Sequence, residues 1–122
     1  MNPHYPLVAQ RAAHRCEYCR APEAVFNFPF EVEHVLPPGR GGQDIESNWA
    51  LSCRSCNLYK SIHIEALDPR RDVWTDHFGV TLENGQIVGI TDVGRATVAR
   101  LQMNTAAQLQ ARHQWIRLHL FP

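Results

Sequence analysis

Four cysteines stand in two spaced pairs, Cys16-Glu17-Tyr18-Cys19 and Cys53-Arg54-Ser55-Cys56. A C-x-x-C turn can aim two thiolates at one point. Two such turns complete a tetrahedral S4 set, the number and softness of donors that suit zinc. One C-x-x-C alone would leave buried free thiols or a redox pair open, but two in one chain favour a metal. Cys16, Cys19, Cys53 and Cys56 are therefore assigned to a structural Zn2+. The stretch from Cys19 to Cys53 is longer than a minimal zinc ribbon needs, so it must fold as an insert clamped between the pairs.

That insert contains "VEHVLPPGRGG", residues 32–42, in which a glutamate and a histidine are adjacent at the end of an apolar run. Successive residues of an extended strand point to opposite sides. Glu33 and His34 can then do separate jobs, one holding a hard cation and the other facing water. Singly, an acid-imidazole pair is a solvated surface feature, and Asn48 or Asn57 a turn or cap residue. Their joint spacing between two zinc knuckles favours chemistry.

The segment "FEVEHVLPPGRGGQDIESNWALSCRSCNLYKS" resembles the core of an HNH endonuclease of the ββα-metal type, in the version braced by four cysteines. The resemblance spans about residues 13–65 and rests on several features together: C-x-x-C, acid-His-x-x-Pro, a Gly-Gly loop, Asn, then C-x-x-C-Asn followed by Lys. It implies a phosphodiester hydrolase acting on DNA. His34 would be the general base, Glu33 and Asn57 the protein ligands of a catalytic ion, and Asn48 the residue that fixes the loop orienting the histidine. A carboxylate and an amide oxygen suit Mg2+ or Mn2+, whereas the thiolates suit zinc. The third letter of the motif is Asn here, and Glu33 is the one charged ligand. Binding of the catalytic ion is therefore expected to be weak until substrate phosphate completes the coordination. Arg40, Arg54 and Lys60 are candidate phosphate contacts, with solvated surface charge as the alternative. His63 is poorly spaced to share a metal with Asn57, and His14, His77 and His113 read as packing or capping residues.

These side chains need elements to position them. Val8, Ala9, Ala12 and Ala13 recur at helical spacing and predict a helix leading into Cys16. Residues 26–33 alternate, with Phe26, Phe28, Phe30 and Val32 on one side and Asn27, Pro29, Glu31 and Glu33 on the other; this predicts a half-buried edge strand. Residues 47–52 predict a second strand, and 57–67 a helix starting just after Cys56. Further on, Asn84-Gly85 marks a hairpin turn, with Trp74, His77 and Phe78 as core. Two helices close the chain, the last with Ala106, Leu109, His113, Ile116 and Leu120 on one stripe. The expected fold is α+β: a ββα-metal HNH core with a four-cysteine zinc site, plus a C-terminal β-hairpin and two helices. We read residues 1–122 as one nuclease domain, with the core at about 13–65 and an extension at about 66–122. That extension also resembles one found in some small HNH proteins.

Twelve basic and twelve acidic residues cancel over 122 positions, so no overall field draws the chain to nucleic acid or membrane. DNA must be held locally, by the metal helix and by an acid-free C-terminal stretch carrying Arg95, Arg100, Arg112 and Arg117, with arginine on solvated helix faces as the alternative for that stretch. Modest, salt-sensitive binding with little sequence preference is the expectation, with a dimer or protein partner as a possible addition. No apolar run is long enough to span a membrane and no signal peptide is evident, so a cytoplasmic location is expected. The alternative reading is a non-catalytic zinc-ribbon module that binds nucleic acid or protein; it predicts zinc without cleavage. A nuclease of a toxin or mobile element, active only with a partner, is a third.

Overall fold

The computed structural model describes residues 2–61 and 67–122. The second half of the helix expected over 57–67, with His63, lies largely outside the described residues. Among the described residues, the chain folds as a mixed α+β protein with two separate two-stranded antiparallel sheets. Helix α1 (Tyr5–Arg11) buries Val8 and Ala9. Strand β1 (Glu31–His34) pairs with β2 (Trp49–Ser52) in the register Glu31↔Ser52, Val32↔Leu51, Glu33↔Ala50 and His34↔Trp49. Helix α2 (Arg54–Lys60) follows directly. This is a ββα unit.

The first strand is shorter than the alternation predicts. A 3-10 turn occupies Glu23–Val25, and the buried Glu23 carboxylate accepts the Phe30 amide at 2.6 Å. That bond takes up a donor that a longer strand would have used in its ladder. Phe28 is exposed, while Phe30 packs edge-on against Phe26 with centroids 4.9 Å apart. Glu33, expected on the polar side, is buried. Helix α2 begins before Cys56, not after it: Cys53 is its N-cap, and the Cys53 sulfur accepts the Cys56 amide at 3.5 Å. One residue therefore serves both the knuckle and the helix start, a demand that spacing rules for polar caps do not anticipate.

Between the strands, the proline-glycine loop folds back on itself. The Arg40 and Gly42 amides donate to Pro37 O at 2.9 Å, and a Cβ at Gly42 would lie 1.7 Å from Leu36 O. Only glycine permits that approach.

In the C-terminal part, a short helix α3 (Trp74–His77) leads into β3 (Phe78–Thr81), which pairs with β4 (Gln86–Gly89). The Asn84-Gly85 turn is present as expected, with the Gly85 amide donating to Thr81 O at 2.8 Å. Trp74 and Phe78 are buried, and the His77 imidazole lies 2.6 Å from Thr91 Oγ1. Helix α4 (Asp92–Arg100) is capped by Thr91, and α5 (Ala106–Arg117) by Thr105. The buried residues of α5 are Arg112 and Trp115 rather than the predicted stripe, of which Ala106 is exposed and the rest half-buried. Trp115 packs between Phe26 and Phe121, and this turns the helix.

The two parts meet through specific bonds. Trp74 Nε1 donates to Tyr18 O at 2.7 Å, inside the first knuckle, and Arg15 donates to Leu120 O at 2.7 Å. Among the described residues, no helix is long and apolar enough to cross a membrane.

Candidate functional site

The four cysteine sulfurs lie within 4.8 Å of one another, all buried. Zn–S bonds of about 2.3 Å in a tetrahedron place sulfurs about 3.8 Å apart; Cys19 and Cys53 Sγ are 3.8 Å apart. The residues thus fit zinc in donor type, number and spacing. Burial would raise the Cys16 thiol, but hydrogen bonds from its three neighbours hold it well below its ordinary value, while the bond with Cys16 leads in pushing Cys19 and Cys56 well above. Loading a divalent cation must therefore release protons.

Strand β1 and helix α2 carry the remaining candidates. Glu31 and Glu33 are two apart on the strand and so share a face, and Asn57 and Lys60 are one turn apart on the helix. These pairs meet as rungs: Asn57 Nδ2 donates to Glu31 Oε2, and Lys60 Nζ lies 3.6 Å from Glu33 Oε2. Asn57 therefore reaches the strand face that bears Glu33, with its amide nitrogen engaged by Glu31. Glu33 also accepts a hydrogen bond from the Tyr18 hydroxyl. Burial raises the Glu33 carboxyl to about 7 even though Lys60 and Tyr18 pull it down. Tyr18 itself is pushed well up by burial and by the Glu33 charge.

Lys60 differs from its expected role. It is 1 % exposed, donates to Val35 O at 2.9 Å, and reaches His34 O at 3.4 Å. A lysine enclosed in this way is a counter-charge for Glu33 and a clamp on the strand end, not a surface cation open to phosphate. Arg40 and Arg54 are exposed, Arg54 lying 4.9 Å above the Phe28 ring. Arg112 is a second correction. It is buried, donating to Gly85 O and Met103 O at 2.8 Å each, so it ties the hairpin to α5 and leaves the basic surface to others. Arg95 is exposed and paired with Asp92 at 2.6 Å. His14 is exposed rather than packed, with Nδ1 2.7 Å from Glu23 Oε1.

Asn48 sits between the loop and β2. Its Oδ1 accepts the Leu36 amide at 2.9 Å, and its Nδ2 donates to Leu36 O at 2.9 Å and Gln43 O at 2.8 Å. Three bonds from one amide hold both ends of the glycine loop. His34 projects from the other side of the strand, with Nε2 3.0 Å from Asp44 Oδ1.

Tyr18, Glu31 and Asp44 were not singled out in the sequence. Tyr18 is hidden as a variable position of C-x-x-C. Glu31 is legible by its i, i+2 relation to Glu33, and Asp44 by following the Gly-Gly turn, but neither has a signal of its own. Among the described residues, the four cysteines are the one group of three or more His, Cys, Asp or Glu side chains close enough to hold an ion.

The sequence model described as HNH endonuclease matches residues 16–61. No curated protein and no solved structure matches the chain. The matched segment holds both cysteine pairs, both strands and α2. The chain thus carries the motif of the HNH endonuclease family on an α+β frame consistent with a ββα-metal core.

Proposed function

We propose that this protein is a metal-dependent DNA endonuclease and that residues 1–122 act as one domain. The reading is supported by one observation: the segment matched to HNH endonucleases packs α2 against β1, with Asn57 bonded to Glu31, Lys60 beside Glu33, and His34 next along the strand on its opposite side. Glu33 and the carbonyl oxygen of Asn57 are hard donors that suit Mg2+ or Mn2+, and zinc belongs to the cysteines. The catalytic cation would supply positive charge near the phosphoryl oxygens and the departing oxygen.

In this mechanism the chain's own groups do the following. The His34 imidazole takes a proton from water, whose oxygen attacks phosphorus in line with the leaving 3′-oxygen. As the new P–O bond forms, the P–O3′ bond breaks and its electron pair leaves with the oxygen. Asn48 keeps the loop around His34 in place, and Lys60 and Tyr18 hold the Glu33 carboxylate toward α2. Arg40 and Arg54 are proposed phosphate contacts; Lys60 is not. Contacts of this kind read the backbone rather than base edges, so sequence preference is small and affinity falls with salt.

The test is digestion of supercoiled plasmid by zinc-loaded protein with Mg2+ or Mn2+, beside the same reaction in EDTA. Cleavage that needs the added ion supports the reading. Binding to DNA without cleavage under any divalent ion would instead favour the zinc-ribbon binding module.

A further inference from the structure

His34 and Trp49 are directly opposite in the β1–β2 register, so their rings project from the same face of the sheet. Both rings present a nitrogen to one atom. Trp49 Nε1 donates to Asp44 Oδ1 at 2.9 Å, and His34 Nε2 lies 3.0 Å from that same oxygen. The indole is a firm anchor, 7 % exposed and stacked on the His4 ring at 4.0 Å. The loop leaves Asp44 little choice of position, because Gly42 packs against Leu36 O and Asn48 grips Gln43 O, the carbonyl just before Asp44.

Asp44 is a carboxylate at neutral pH, since the bonds from Trp49 and His34 hold it below the usual range. An ionised carboxylate only accepts. The proton of a neutral imidazole must then sit on Nε2, which leaves the lone pair on Nδ1. Among the described residues, His34 makes no hydrogen bond through Nδ1.

We propose that Asp44 is a positioning residue that fixes His34 as its Nε2–H tautomer, making Nδ1 the atom that takes the proton from water. For its reaction this rests on the nuclease reading above; its geometry does not. In the step, the water proton moves to Nδ1 as the oxygen joins phosphorus, and the imidazolium is stabilised by the Asp44 carboxylate on its other side. The departing 3′-oxygen is protonated from solvent, to which His34 then returns its proton. Asn48 acts in turn on Asp44, by holding the loop that delivers it.

The variants Asp44→Asn and Asp44→Glu test this in the zinc-loaded full chain, with two readouts. Long-range 15N–1H NMR reports which nitrogen of His34 bears the hydrogen, and oligonucleotide cleavage gives kcat and KM separately. The parent is expected to be Nε2–H. In Asp44→Asn the side-chain amide can donate to Nε2, so the tautomer shifts toward Nδ1–H. Its kcat falls by about 10²-fold, the lower end of what a general base contributes, with KM unchanged. Asp44→Glu restores part of both. A parent already in the Nδ1–H form, or an Asn variant with the parental tautomer and kcat, would overturn the proposal. A parent in the Nε2–H form whose tautomer switches in Asp44→Asn, but which cuts nothing, supports the pairing and overturns the nuclease reading instead.

Discussion

Replacing Lys60 with methionine keeps most of the side chain's length and removes its charge and donors. Lys60 is 1 % exposed, and its ammonium lies 2.9 Å from Val35 O, 3.4 Å from His34 O and 3.6 Å from Glu33 Oε2. Removing one partner of a buried ion pair costs about 3–5 kcal/mol when the other charge stays behind. Glu33 has an escape, because its carboxyl already titrates at about 7 and can be neutral below that pH. The expected loss is therefore pH-dependent. Near pH 6 Glu33 is protonated, and the cost is that of the orphaned carbonyls, about 1–3 kcal/mol. Near pH 9 the variant must bury an unpaired carboxylate or hold its proton, and the loss approaches about 3–5 kcal/mol. The sign follows from linkage. A carboxyl raised in the folded state makes stability fall as pH rises from its unfolded value to its folded one. Without Lys60 the folded value rises further, which extends the fall to higher pH. Urea unfolding of zinc-loaded parent and variant at both pH values measures the difference. Equal losses at pH 6 and pH 9, or none at either, would refute the pairing of Lys60 with Glu33.

Other expectations concern the zinc site, the proposed cation site and the loop. Cys53→Ser removes a zinc ligand and the cap of α2 together. Structural zinc contributes about 10–16 kcal/mol in small zinc domains, comparable with a whole domain's stability, so circular dichroism should show an unfolded core. Asn48→Ala breaks three bonds of 2.8–2.9 Å; at about 1 kcal/mol each, loop amides should exchange with deuterium faster while the zinc content stays unchanged. Glu33 must lose its proton to ligate a cation, and its carboxyl titrates at about 7. Mn2+ affinity, followed by electron paramagnetic resonance, should therefore rise by about tenfold from pH 6 to pH 8, as the ionised fraction goes from about 0.1 to 0.9. A flat profile would separate Glu33 from the ion.

The zinc site was legible because thiolate pairs have few other uses at that spacing, and the cluster formed by Cys16, Cys19, Cys53 and Cys56 fits it. The second strand of the core, the Asn84-Gly85 turn and the last two helices followed from periodicity and turn chemistry, while of the first strand only its end did. The failures have a common physical cause. Alternation placed Glu33 outside, and Lys60 and Arg112 were read as surface cations open to phosphate, because charged side chains are normally exposed. Here Glu33 and Lys60 answer each other across two elements, while Arg112 satisfies carbonyls of the hairpin and of the loop before α5. Such pairings join residues distant in the chain, and no local pattern encodes them. Asp44 is similar: its role depends on where Gly42 and Asn48 return the loop, which is set by tertiary contact.

The most direct measurement is single-turnover cleavage of a DNA substrate by the parent and by His34→Ala, at matched zinc content and saturating Mn2+. The His34 side chain is 32 % exposed, so the variant should fold like the parent. Its cleavage rate is predicted to drop by at least about 10²-fold, with DNA binding retained. A variant that cuts as fast as the parent would contradict the assignment of His34 as the base.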